Sequence, residues 1–129
     1  KVGDKADVGI IATGALVYRA LKVAEGLSKQ GISVKVLNMA TIKPLDTEVV
    51  FQLADDTRAI VTVEEHQVVG GLGSAVAEYL AENLPTPIEF IGVRDQFGQS
   101  GTPNELLEHY GMGESHILDA VKKVLGRKK

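Results

Sequence analysis

The residues with the most chemical potential in this chain stand in one short stretch: Glu64, Glu65 and His66, then Gly70, Gly71, Gly73 and Ser74. A histidine beside carboxylates could serve as a general base with an orienting acid. Sequence neighbours seldom face one another, however, and no motif places a Ser or Cys nucleophile, so the same triplet also suits a structural or interface role. The glycines could let backbone N–H groups approach an anion at a helix N-terminus. Their spacing is neither G-x-G-x-x-G nor a P-loop, and no lysine follows. Positive φ or close helix–strand packing is therefore the competing reading of the same glycines. His109 and His116 fall on expected helices without a second ligand at metal spacing, and read as solvent-facing or capping groups. Asp95, Ser100 and Gly101 belong to a polar run that is open to both a functional loop and a simple turn.

The elements that must position these residues follow from apolar periodicity. Val8 to Ala12 is a continuous apolar run, as in a strand buried on both faces. From Ala15 to Gln30, Val17, Ala20, Leu21, Ala24 and Leu27 recur at helical spacing, with Gly31 placed for a left-handed cap. Ser33 to Asn38 reads as a second strand. A second helix then begins around Pro44 to Asp46, with Asp46 as N-cap and the stripe Val49, Val50, Leu53 and Ala54. Ala59 to Val63 is a third strand, followed by a charged edge and the glycine turn. Leu72 to Asn83 is a third helix with Ala75, Val76, Tyr79 and Leu80 inward, stopped by Pro85 and Pro87. Ile88 to Val93 is a fourth strand. After the polar run, a capping box at Thr102 to Glu105 opens a short helix to Tyr110, and a last helix spans about Ser115 to Leu125. Alternating strands and helices imply parallel βαβ units in a three-layer α/β/α sandwich, in which the last two helices cover one face or reach a partner. The loop Met39 to Lys43 after the second strand and the loop after Val63 share the carboxyl edge of the sheet, where ligands and partners gather in such folds.

Composition narrows the function classes. The chain has 129 residues, 44% of them hydrophobic, and a net charge of −3, which fits one globular domain spanning 1–129 and offers no footprint for nucleic acid or an anionic membrane. The basic cluster Arg127, Lys128 and Lys129 reads as a solvated helix end. Having no cysteine, the chain is without disulfides, thiolate metal sites or a Cys nucleophile. No signal peptide or membrane-length apolar run is visible, and a cytoplasmic location is expected.

Four blocks, DVGIIATG (Asp7 to Gly14), VLNMATIKPLD (Val36 to Asp46), VTVEEHQVVGGLGSAV (Val61 to Val76) and GVRDQFGQSGTPNELLEHYGM (Gly92 to Met112), occur in this order. Their order resembles the C-terminal domain of the transketolase family of thiamine diphosphate enzymes, in particular the transketolase split into two subunits. The resemblance implies a five-stranded, mostly parallel mixed sheet whose first strand, at or before Lys1 to Gly3, is antiparallel or truncated. It implies an enzyme transferring a two-carbon ketol unit between sugar phosphates in the pentose phosphate pathway. Thiamine diphosphate and Mg²⁺ are held in the whole enzyme by other domains, through a Gly-Asp-Gly motif and an activating Glu that this chain lacks. No catalytic, cofactor or metal residue is therefore carried over, and the isolated domain is expected to be inactive. The expected partners are the thiamine-binding domains, on the same or a separate chain, within a homodimer or heterotetramer. In that assembly Glu64, Glu65, His66, Gly70, Gly71, Gly73 and Ser74 would provide the interface, or an anion contact. A 1-deoxyxylulose-5-phosphate synthase, a 2-oxo acid dehydrogenase β subunit and a free-standing anion or nucleotide binder remain as alternatives.

Overall fold

Five successive apolar residues form the central strand β1 (Val8–Ala12), and every one of them is buried. Such a strand needs cover on both faces. In the computed structural model, which describes residues 6–14, 16–39, 45–67, 71–93 and 113–128, that cover comes from two helical layers.

The remaining elements are α1 (Leu16–Ser28), β2 (Val34–Asn38), α2 (Thr47–Thr57), β3 (Ile60–Gln67), α3 (Leu72–Asn83), β4 (Ile88–Val93) and a last helix, α4 (Glu114–Arg127). Among the described residues the four strands are all parallel and lie in the order β2-β1-β3-β4. This is the expected α/β/α sandwich. The expected antiparallel strand at the amino terminus lies outside the described residues, as does the short helix before Tyr110.

Alternation along the strands sends side chains to two separate cores. On one face Val8, Ile10, Ala12, Val61 and Val63 meet α1 and α4. On the other, Ile11, Ile60 and Ile88 meet α2 and α3. The last helix thus covers one face, as anticipated. Close approach sets the second layer: a Cβ added to Gly9 on β1 would lie 2.6 Å from Leu53 Cγ of α2.

Helix ends follow local rules in most places. Asp46 caps α2 by accepting from the Val49 N–H at 3.3 Å, and Gly31 takes the left-handed conformation after α1 with φ +84°. Arg58, which closes α2, does the same without being glycine, at φ 59°. Its N–H donates to the Ala54 carbonyl and its guanidinium to Asp55.

Four expectations need correction. The buried stripe of α1 is Leu16, Ala20, Val23 and Leu27, whereas Leu21 is exposed beside Tyr18; apolar residues on both sides of this helix make two stripes compete, and Leu16 and Val23 face the core. On α2, Val49 turns outward and Thr57 joins the buried side, because Thr57 Oγ1 satisfies itself on the Leu53 and Ala59 carbonyls. On α3 Val76 and Leu80 are buried and half-buried Tyr79 packs against the same core as expected, whereas Ala75 is only half-buried and Leu72 and Gly73 join the fully buried positions. The basic end is not a free tail: Arg127 donates to the Ile88 carbonyl and pairs with Glu89, while Lys128 donates to the Asp7 carbonyl. These contacts tie α4 to the amino edge of the sheet.

Candidate functional site

Strand order reverses between β1 and β3. From β1 the chain enters α1 on one face, and from β3 it enters α3 on the other. Divergence of this kind opens a crevice at the carboxyl edge, the usual place for ligands and partners in open α/β sheets. Thr13, just after β1, donates its N–H to the Val63 carbonyl at 3.3 Å across this point of reversal.

The strand expected to end at Val63 continues to Gln67. Glu64 therefore lies within β3 and not on a loop, and it has no exposed surface. Alternation explains its direction: Ile60 shares a core with α2 and α3, so Thr62 and Glu64 point to the same face. There the Glu64 carboxylate meets the start of α3. One oxygen accepts from the Leu72 N–H and the other from the Gly73 N–H, both at 2.7 Å. Gly71, the N-cap, contributes no side-chain bond. A carboxylate at this end of a helix also has a favourable field from the aligned peptide dipoles.

Gly73 has a steric reason to be glycine. An added Cβ would come within 2.7 Å of Phe90 Cδ1, 3.1 Å of Thr62 Oγ1 and 3.2 Å of Glu64 Oε2. The first turn of α3 thus lies directly on β3 and β4. Thr62 is fully buried, and among the described residues its hydroxyl finds no hydrogen-bond partner.

Of the residues singled out in the sequence, Glu64, Gly71 and Gly73 are brought together, with Ser74 in the same helical turn. Glu65 and His66 continue β3. Gly70, Asp95, Ser100, Gly101 and His109 lie outside the described residues. His116, in the first turn of α4, is half-buried rather than solvent-facing. Thr62 and Phe90 were not anticipated as members of the site. The period-two alternation through Ile60, Thr62 and Glu64 was the available signal.

A diphosphate would compete with Glu64 for the N–H groups of Leu72 and Gly73. Among the described residues no three His, Asp or Glu side chains converge to hold a metal ion. The two N–H groups that open α3 are thus already engaged by Glu64, and no chemical step is derived through a Mg²⁺–diphosphate group. A groove of about 600 Å³ between β2 and α2, lined by Val36, Leu37, Val49 and Leu53 among others, lies on the opposite side of β1 from Glu64. No described helix is long and apolar enough to cross a membrane.

A parallel sheet with this strand order, helices on both faces and a glycine-rich entry to α3 defines a class of α/β domain. Residues 1–117 match the family described as "Transketolase, C-terminal domain", and the chain belongs to that family. It is 48% identical over 122 residues to a 6-deoxy-6-sulfo-D-fructose transketolase subunit of Clostridium sp. (strain MSTE9), covering 95% of this chain and 38% of that protein. A putative transketolase C-terminal section of Methanocaldococcus jannaschii is 46% identical over 125 residues, covering 93% and 39%. The 1-deoxy-D-xylulose-5-phosphate synthase of Synechococcus sp. (strain JA-2-3B'a(2-13)) is 41% identical over 117 residues, covering 90% and 18%. A solved structure titled "Split gene transketolase, inactive beta4 tetramer" superposes with a TM-score of 0.92 at 46% identity, covering 97% of this chain and 41% of that one. The chain spans about two-fifths of the length of the transketolase relatives.

Proposed function

We propose that this chain is the C-terminal accessory and assembly domain of a transketolase, an enzyme that moves a two-carbon ketol unit between sugar phosphates. The observation that carries this reading is the coverage. Nearly the whole chain aligns with two-fifths of transketolase subunits and sections, which supports the role of one domain within a longer enzyme. In this reading thiamine diphosphate and Mg²⁺ are bound by those other domains, on the same or a partner chain. The chain alone is inactive. The whole enzyme is a cytoplasmic homodimer or heterotetramer, and the carboxyl edge from Glu64 to Ser74 faces the thiamine-binding domains.

Interface is favoured over anion contact at this edge because the two N–H groups an anion would use already donate to Glu64. The relatives named as transketolases include ones for 6-deoxy-6-sulfo-D-fructose and apulose 4-phosphate, and their different names leave the sugar substrate and the pathway of this enzyme to experiment. A second reading, a 1-deoxyxylulose-5-phosphate synthase, keeps the same fold and domain role. It is favoured by relatives of that name at 32–41% identity, below the 42–48% of those named as transketolases.

The test is ketol transfer from xylulose 5-phosphate to ribose 5-phosphate by the full-length enzyme, with and without residues 1–129. Transfer that is lost with the domain supports the assignment. Condensation of pyruvate with glyceraldehyde 3-phosphate, without ketol transfer, would replace it with the synthase.

A further inference from the structure

The first N–H groups of α3 could be satisfied close at hand, and they are not. A Ser, Thr, Asn or Asp at the N-cap would accept from one of them within the loop. Gly71 stands at that position, and the acceptor comes instead from inside the preceding strand. Taking a carboxylate out of water is unfavourable unless hydrogen bonds replace its hydration. Two bonds to the backbone do so here, and they fix something a local cap would leave free: the distance and angle between β3 and the start of α3.

Two further features act at the same point. Val63 opposes Ile91 and Gln67 opposes Val93, so three residues of β3 stand against Gly92 alone. The ladder is therefore bulged where Glu64 lies, and bulges redirect side chains and the chain that follows. Gly73 then brings the helix so close that a single methyl would strike Phe90, Thr62 and Glu64 itself. Bulge, carboxylate and glycine all constrain one junction.

We propose that Glu64 is a positioning residue for the interdomain surface. By holding the Leu72 and Gly73 N–H groups it sets where α3 begins, and so where the first turn of α3 is presented to the thiamine-binding domains. This rests on the assembly reading above. Replacement of Glu64 is then felt first at the junction and at the interface, before the body of the domain.

The experiment uses the full-length enzyme and three proteins: wild type, Glu64→Gln, and Leu80→Ala. Glutamine keeps the volume but offers one acceptor oxygen where the carboxylate offers two. Leu80 is buried towards the far end of α3, so its truncation destabilises the domain without touching the carboxylate. Amide hydrogen exchange and sedimentation velocity are measured where all three are folded. The expected result for Glu64→Gln is exchange faster by about tenfold or more at Leu72 and Gly73, with Val76 little changed. Assembly weakens by about tenfold. Leu80→Ala should leave the junction amides and the assembly as in wild type, even where it lowers Tm more.

Unchanged exchange at Leu72 and Gly73 in Glu64→Gln overturns the proposal. Faster exchange with unaltered assembly also overturns it, reducing Glu64 to a helix cap. Equal loss of assembly in Leu80→Ala overturns it too, since global instability then accounts for the effect. Failure of the assembly reading looks different: wild-type domains would show no association to lose, and removal of residues 1–129 would leave the oligomer intact.

Discussion

Two helices of the same layer begin in different ways. Asp46, exposed and immediately before α2, accepts from the N–H three residues on. The start of α3 is held by Glu64, buried on β3, eight and nine residues before its two donors. A local cap stabilises a helix wherever the helix happens to lie. A cap delivered from the sheet also decides where it lies. The second arrangement occurs at the edge where the strand order reverses, and the first occurs at an ordinary connection.

The largest effect expected from breaking this contrast is that of Glu64→Ala. Two N–H groups lose their acceptors in a buried place, and a cavity replaces the side chain, so stability should fall by about 3 kcal/mol or more. Urea denaturation of the folded enzyme or domain measures it. Gly73→Ala comes next: the close contacts with Phe90 and Thr62 should make overpacking cost about 2 kcal/mol, visible as a lower midpoint at an unchanged m-value. Asp46→Ala removes only a surface cap and should cost about 1 kcal/mol. If it proved as damaging as Glu64→Ala, the contrast between the two caps would fail. The smallest effect should come from Lys35→Ala, which removes the 2.9 Å pair with Asp56; about 0.5 kcal/mol is expected, decreasing with added salt.

The same contrast separates what could be read in the sequence from what could not. Asp46 was legible because cap and helix adjoin in the chain, and α3 (Leu72–Asn83) and β4 (Ile88–Val93) have the bounds their periodicity and flanking prolines imply. β3 was read as ending at Val63 because a run of Glu, Glu and His resembles a loop. Only the tertiary partner, a helix start eight residues later, makes a buried carboxylate acceptable inside a strand. The glycines illustrate the same limit. Their spacing excluded the familiar phosphate loops, but the steric reason for Gly73 depends on Phe90, which the sequence places seventeen residues away. On α1 the two apolar stripes were close rivals, and periodicity alone could not tell which one faced the sheet.

In the proposed function this chain contributes assembly, and cofactor chemistry is left to other domains. Calorimetric titration of thiamine diphosphate with Mg²⁺ tests it most directly, on the 129-residue chain and on the full-length enzyme in parallel. Saturable binding by the full enzyme and no binding heat from the chain alone are expected. Saturable binding by the chain alone would contradict it, and would return the carboxyl edge around Glu64 to the role of a ligand site.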